Sequence, residues 1–293
     1  MKNKISVIIT AFKEEKTIGG VIQSVLNDVP EAEIIVVAPD DQTLNVARAY
    51  AKDWQQVIVM QDENKGKPAA LNLAIKMANS DVVLFTDGDV LIPRNSLKLL
   101  ASKLSPNTIA TGKPTIIGDS KNMLNWWGET LFDVAHRLRL AAYQKHTKFL
   151  ISGYLWGINS SVLKNIHLDE NLLTEDEFIT YFCDERKLNF VYVEKAEVGI
   201  KYPQSISDWL KQKVRTLGGS YQIRKSLAVR TRSLYQETSQ AFKVIFSYPK
   251  TIQQWLWLML LLFFRATAWI KAYFLIVILK KGKAVWTRVE STK

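Results

Sequence analysis

Cysteine is almost absent from this sequence. Cys183 stands alone among 293 residues, so no internal disulfide can form and a reducing compartment is the simpler setting. A lone cysteine of this kind reads as a small buried hydrophobe. Histidine is nearly as scarce: His136, His146 and His167 lack the tight spacing of zinc ligands, which argues against a zinc centre. No secretory signal is expected at the amino terminus, because the apolar stretch 5–9 is short and runs into Lys13-Glu14-Glu15-Lys16. Internal repeats and low-complexity segments are missing as well. Acidic residues thin out toward the end: residues 201–293 hold 3 Asp/Glu against 17 Lys/Arg, whereas residues 1–200 hold 25 against 22. All of the net charge of +11 therefore lies in the last third. Because that third is also apolar and aromatic, it suits an anionic membrane surface better than nucleic acid.

What is present begins as an alternation. Residues 5–9, 33–37, 57–60 and 82–85 read as strands, and residues 15–26, 43–52 and 69–78 as helices between them. Near-continuous apolar strands alternating with helices imply a mostly parallel, Rossmann-like sheet covered on both faces. Residues 91–200 are less regular. They hold a long helical stretch with Trp126, Trp127, Leu131, Phe132 and Leu138, a glycine- and aromatic-rich run at 149–158, an acidic helix start at 174–182 and a strand at 190–193. Residues 206–246 are basic and helical in pattern. The organisation expected is a catalytic layer over 1–205, basic amphipathic interface helices over 206–250, and a membrane-associated helical segment with a basic tail over 251–293.

Proline and glycine are both absent between Pro249 and Gly282, and residues 255–264 are all apolar. A helix over 255–279 would be roughly 37 Å long, enough to cross a bilayer. Arg265 near its centre would cost about 2.5–3.5 kcal/mol in lipid. A span would also leave Lys280, Lys281, Lys283 and Arg288 on the wrong side for cytosolic substrate. An interfacial helix or a shallow re-entrant pair is expected instead, with burial against the protein itself as the alternative.

The chemistry concentrates at Asp87-Gly88-Asp89, which closes the apolar strand 81–86. Carboxylates at the carboxyl end of such a strand sit where open α/β sheets collect ligands. At i and i+2 they can aim oxygens at one hard divalent cation, which binds through one or two carboxylates plus substrate phosphates. A structural turn is the rival explanation of Asp-Gly-Asp.

Four ordered segments carry a resemblance: Val7-Ile8-Ile9-Thr10-Ala11-Phe12-Lys13-Glu14-Glu15, Asn64-Lys65-Gly66-Lys67-Pro68-Ala69-Ala70-Leu71-Asn72, Thr86-Asp87-Gly88-Asp89 and Thr174-Glu175-Asp176-Glu177. In order and spacing, over about residues 1–215, they resemble the GT-A glycosyltransferases of family 2, inverting enzymes that use nucleotide sugars. The resemblance implies a GT-A fold and a hexosyltransferase type of activity dependent on Mg2+ or Mn2+. It implies a UDP- or GDP-type sugar donor and a lipid-linked or growing glycan acceptor, met at the cytoplasmic face of the cell membrane. It places Thr10, Ala11, Glu14, Asp40, Lys67, Asp87, Gly88 and Arg215 on the nucleotide sugar, and Asp87 and Asp89 on the metal.

Asp176 is expected to be the general base. Inversion at an anomeric carbon needs a hydroxyl deprotonated on the face opposite the leaving diphosphate. Gly153, Tyr154, Trp156, Glu175 and Gln212 are expected around the acceptor. Plainer explanations stand beside several of these. Glu14 and Glu15 suit a helix amino-terminal turn, Asp41 suits an N-cap, Gly66-Lys67 suits a surface turn, and Glu177 suits an acidic first helical turn. The aromatic run 154–156 also suits a core. Gln212 and Arg215 resemble the Gln-x-x-Arg-Trp motif of processive synthases, with Thr216 in place of the tryptophan, and they suit a basic interfacial helix equally. Two other functions remain open: a polyprenyl-phosphate glycosyltransferase, and a catalytically silent membrane-binding module.

Overall fold

The computed structural model describes residues 4–119, 121–227 and 244–280. The basic residues Lys281, Lys283 and Arg288, and part of the 206–250 segment, lie outside the described residues. The first half runs β1 (Ile5–Thr10), α1 (Ile18–Asp28), β2 (Glu33–Ala38), α2 (Asp41–Asp53), β3 (Val57–Gln61), α3 (Lys67–Met77) and β4 (Val82–Asp87). There follow β5 (Val90–Leu91), α4 (Ser96–Ala101), β6 (Thr108–Ile117), α5 (Met123–Gln144), β7 (Leu155–Asn159), α6 (Ser160–Leu163), α7 (Glu175–Glu185) and β8 (Asn189–Lys201). Among the described residues α8 (Ile206–Leu227) and α9 (Ile252–Tyr273) follow, with a π-helical turn at Phe274–Ile278 extending α9.

Among the described residues one sheet holds the eight strands in the order β3-β2-β1-β4-β7-β6-β8-β5. The apolar strands β1, β2, β3 and β4 pair in parallel, as their two-sided burial requires. β7 is antiparallel to both β4 and β6, so the sheet is mixed rather than parallel throughout. The chain leaves β1 toward β2 on one side and returns to β4 on the other. That reversal opens a crevice at the carboxyl ends of β1 and β4, where Thr10 stands in register with Asp87.

Two cores cover the two faces. One packs Ile18, Val21, Ile22 and Val25 of α1 against Val7, Ile9 and Leu84. The other packs Ala70, Leu71 and Ala74 of α3 with Ile179 of α7 against Ile8, Val83 and Phe85. Cys183 belongs to this second core, and burial pushes its thiol up to about 12. A separate aromatic cluster joins α5, α8 and α9 through Trp127, Trp209 and Leu261.

α1 begins at Ile18, later than the apolar periodicity suggests. Lys13 adopts a left-handed conformation (φ 54°), and Glu14 turns inward instead of opening the helix. No acid lies in the first turn of α1, so the helix-dipole explanation of Glu14 and Glu15 falls away. In α9 the structure shows one continuous helix, not a re-entrant pair. Leu258, Leu261, Ala268, Trp269 and Ala272 are buried along one stripe. Arg265 is half-buried, and its charge acts on Tyr202.

Candidate active site

Four elements deliver side chains to the crevice: the ends of β1 and β4 and the first turns of α3 and α7. Gly66 takes φ 102°, a conformation that favours glycine, and turns the chain into α3 with Lys67 as its first residue. The Lys67 ammonium then lies 2.7 Å from Asp87 Oδ1 and 2.7 Å from Glu175 Oε1. One lysine thus ties the end of β4 to the start of α7. Burial works against that charge, but the two carboxylates outweigh it and raise the Lys67 pKa. Burial also opposes ionisation of Glu175, yet Lys67, with help from Arg215, holds its carboxyl below the usual range. Asp87 goes the other way: burial, with Asp89 and Glu175 nearby, pushes its carboxyl up despite Lys67.

Asp176 stands beside this pair. Its Oδ1 accepts from the Glu177 amide at 2.9 Å, and a Cβ at Gly153 would lie 3.2 Å from its Oδ2. Tyr154 is next along the chain. Burial and the charges of Asp87 and Asp89 raise its hydroxyl pKa, while Arg215 of α8 opposes them. Asp87, Asp89, Lys67, Glu175, Tyr154 and Arg215 therefore share one electrostatic neighbourhood.

Other residues expected at the donor are buried and hydrogen-bonded into the fold. Thr10 and Ala11 are buried beneath the crevice. The Thr10 carbonyl accepts from the Gly88 amide at 3.0 Å, and the Ala11 amide donates to Val37 at 2.9 Å. Glu14 is buried over Gly88, where an added Cβ would stand 2.3 Å from Glu14 Oε2. Only glycine fits at the middle of Asp87-Gly88-Asp89.

Trp156 is a correction. At 2% exposure it stacks on Phe85, with ring centroids 3.9 Å apart and planes 3° from parallel, inside the second core. β7 pairs residue 156 with residue 85, which commits that indole to the sheet face and removes it from an acceptor pocket. Gln212 lies on α8 one turn before Arg215, and Arg215 itself is exposed.

Asp40, not Asp41, caps α2. Its Oδ1 accepts from the Thr43 amide (3.0 Å) and hydroxyl (2.7 Å), and its Oδ2 accepts from the Lys13 amide at 2.7 Å. Both oxygens thus serve the loops around the crevice. Burial opposes its charge, but these bonds hold its carboxyl below the usual range. Sequence reasoning missed the neighbouring Asp62. It follows β3, its amide donates to Ala38 at 3.2 Å, and its Oδ1 accepts from the Asn64 amide at 2.7 Å. Its Oδ2 is buried without a hydrogen-bond partner, and burial, with Asp40 close by, pushes its carboxyl up. The available signal was its position, immediately after the carboxyl end of a parallel strand.

Among the described residues no group of three or more His, Cys, Asp or Glu side chains could hold a metal by itself. The carboxylates at the end of β4 suit a hard cation completed by substrate oxygens: Asp89 and Asp87 would supply the ligands, and Lys67 already neutralises part of the charge on Asp87.

A family model described as "Glycosyltransferase like family 2" matches residues 3–219. The chain belongs to that family. It is 24% identical over 226 residues to poly-beta-1,6-N-acetyl-D-glucosamine synthase of Staphylococcus epidermidis, a match covering 75% of this chain and 55% of that protein. The chain thus spans about half the length of the curated relatives it matches. Among solved structures it resembles a mycobacterial protein (TM-score 0.52, 18% identity, 78% of this chain and 76% of that one). It also resembles GalNAc-T7 solved with UDP, GalNAc and Mn2+ (TM-score 0.51, 16% identity, 82% of this chain and 54% of that one). These likenesses speak for the fold, which is the α/β GT-A arrangement with a mixed central sheet and a C-terminal apolar helix.

Proposed function

We propose that this family 2 chain is a membrane-associated, inverting, metal-dependent glycosyltransferase. It moves a sugar from a UDP- or GDP-type donor to a hydroxyl of a lipid-linked or growing glycan at the cytoplasmic face of the cell membrane. The Lys67 bridge from Asp87 to Glu175 carries the reading, because it joins the donor end of β4 to the segment bearing the expected base. The relative named as an N-acetylglucosamine polymer synthase and the neighbour solved with UDP and Mn2+ support it.

In this mechanism Asp176 takes the proton of the acceptor hydroxyl, and that oxygen attacks the anomeric carbon from the side opposite the diphosphate. As the new bond forms, the bond from the anomeric carbon to the diphosphate oxygen breaks, and its electron pair leaves with the diphosphate. Lys67 and Arg215 meet the charge that accumulates there. Asp89 and Asp87 would hold Mg2+ or Mn2+, which when bound supplies further electrostatic stabilisation of the leaving group. Glu175 keeps Lys67 aimed at the phosphate end. In this reading Asp62 and Asp40, past the ends of β3 and β2, would meet the base of the donor. The test is a titration of UDP and GDP with and without Mn2+. Asp89→Ala is expected to abolish the Mn2+-dependent binding, and an Asp89→Ala chain that binds as wild type removes the reading.

The membrane half rests on α9. Leu256, Met259, Phe263, Ile270 and Phe274 recur at helical spacing and stand open to solvent, Phe263 at 64% and Ile270 at 70% exposure. The opposite stripe is buried on α8 and α5, so α9 presents a second apolar face with no protein against it among the described residues. Its length and hydropathy alone would also suit a span. Met259→Glu with Phe263→Glu alters only the open face. In vesicle flotation with phosphatidylglycerol, this pair is expected to weaken binding by about tenfold or more.

A further inference from the structure

The segment that carries the expected base does not hold itself in place. Thr174 is the N-cap of α7 but makes no side-chain cap bond, and its buried hydroxyl has no hydrogen-bond partner. Beside the Lys67 bridge to Glu175, restraint comes from α8. Gln222 clasps the approach to α7: its Oε1 accepts from the Leu173 amide at 3.0 Å, and its Nε2 donates to the Asn171 carbonyl at 2.7 Å. Ser220 donates to Glu177 Oε2 at 2.6 Å, and both residues are buried. Glu177 is therefore not the solvated acid of a first helical turn; its amide holds the Asp176 carboxylate while its side chain is held by Ser220. Gly219 permits the approach, since a Cβ there would come within 2.0 Å of Thr174 Oγ1.

Gln212, Arg215, Gly219 and Gln222 follow at spacings of three, four and three residues, which puts them on one face of α8. The stripe that brings Arg215 to the crevice continues into the clasp on 171–177. The other side of α8 is fixed in turn, with Leu217 buried against Ala268 and Trp269 of α9.

We propose that Gly219, Ser220 and Gln222 are positioning residues for the transfer step: they clamp segment 171–177 onto α8 and so fix where the Asp176 carboxylate stands. This rests on reading Asp176 as the general base. A base displaced by an ångström loses rate with little loss of donor affinity, because Lys67 of α3, Asp87 of β4 and Arg215, one turn before the clasp on α8, lie outside the contacts removed.

The test uses the full chain with Mn2+ and UDP-N-acetylglucosamine, UDP-glucose or GDP-mannose, following release of the nucleoside diphosphate. Ser220→Ala removes a single oxygen and Gln222→Ala removes the clasp. Each is expected to lower kcat about ten- to a hundredfold with KM for the donor within about twofold. Hydrogen exchange at residues 173–177 should quicken while β1 to β4 stay protected. Wild-type kcat in both variants, alongside an inactive Asp176→Asn, overturns the proposal and leaves the base reading standing. Losses that appear in KM as much as in kcat overturn it too. A wild-type chain that turns over none of the three donors, or a fully active Asp176→Asn, removes the base reading and the proposal together.

Discussion

Asparagine at position 176 is expected to lower sugar transfer by about 10²–10⁴-fold while Mn2+-dependent nucleotide binding persists. The substitution is nearly isosteric. Its Oδ1 can still accept from the Glu177 amide, and Gly153 still leaves room beneath it. What disappears is the capacity to take a proton. A lysine-bridged cleft that binds donor but cannot deprotonate a hydroxyl should show unchanged nucleotide affinity and a collapsed kcat. The same variant separates the acceptor classes. A polyprenyl phosphate is already ionised and needs no base, so an Asp176→Asn chain that transfers sugar at wild-type rate would point to a phosphate acceptor. A module that only binds membrane would release no nucleotide in either form.

Part of this site was legible in the sequence because its strands are buried on both faces. Near-continuous apolar runs at 5–9, 33–37 and 82–85 imply parallel strands, and a sheet built on them announces its ligand edge by the polar residues that end those strands. Asp87 was readable on those grounds, and Lys67 from the resemblance, at the start of a helix after Gly66. Their meeting with Glu175 was not, since nothing local in the sequence signals that the first turn of α7 reaches the end of β4. Trp156 was misread because its environment depends on the pairing of β7 with β4, a long-range register that sets the indole on Phe85. The choice of Asp40 over Asp41 as cap turned on backbone geometry, which two adjacent aspartates do not reveal. Composition identified α9 as apolar. It could not show that Arg265 is half-buried, near enough to Tyr202 for its charge to act there. The clasp of α8 on 171–177 was also invisible, because Gly219 and Gln222 look unremarkable without the segment they hold.

Methionine in place of Lys67 is expected to destabilise the fold by about 3–5 kcal/mol, the usual cost of removing one partner from a buried charge cluster. For a chain of this size that is a fall of roughly 10 °C in Tm. Methionine preserves the apolar stem, so the loss reports the ammonium and its two 2.7 Å contacts. The sign of the pH dependence follows from Glu175. With Lys67 present its carboxyl lies below the ordinary value of 4.5, so the pairing contributes fully above that value and fades as pH falls through the lowered one. Without Lys67 the burial of Glu175 acts with far less opposition and moves the carboxyl upward. The variant should then suffer most at neutral pH and recover relative to wild type as acid neutralises the cleft. Melting curves of both proteins from pH 7 down to about pH 4.5 should therefore converge. Curves that stay a fixed distance apart would mean the lysine stabilises through packing alone. Adding Glu175→Gln to the methionine variant should restore part of the loss, because it removes one of the two carboxylates left facing each other. Pyrophosphate with Mn2+ should bind the methionine variant more weakly than wild type, since the group that anchors Glu175 is also the one aimed at the phosphates.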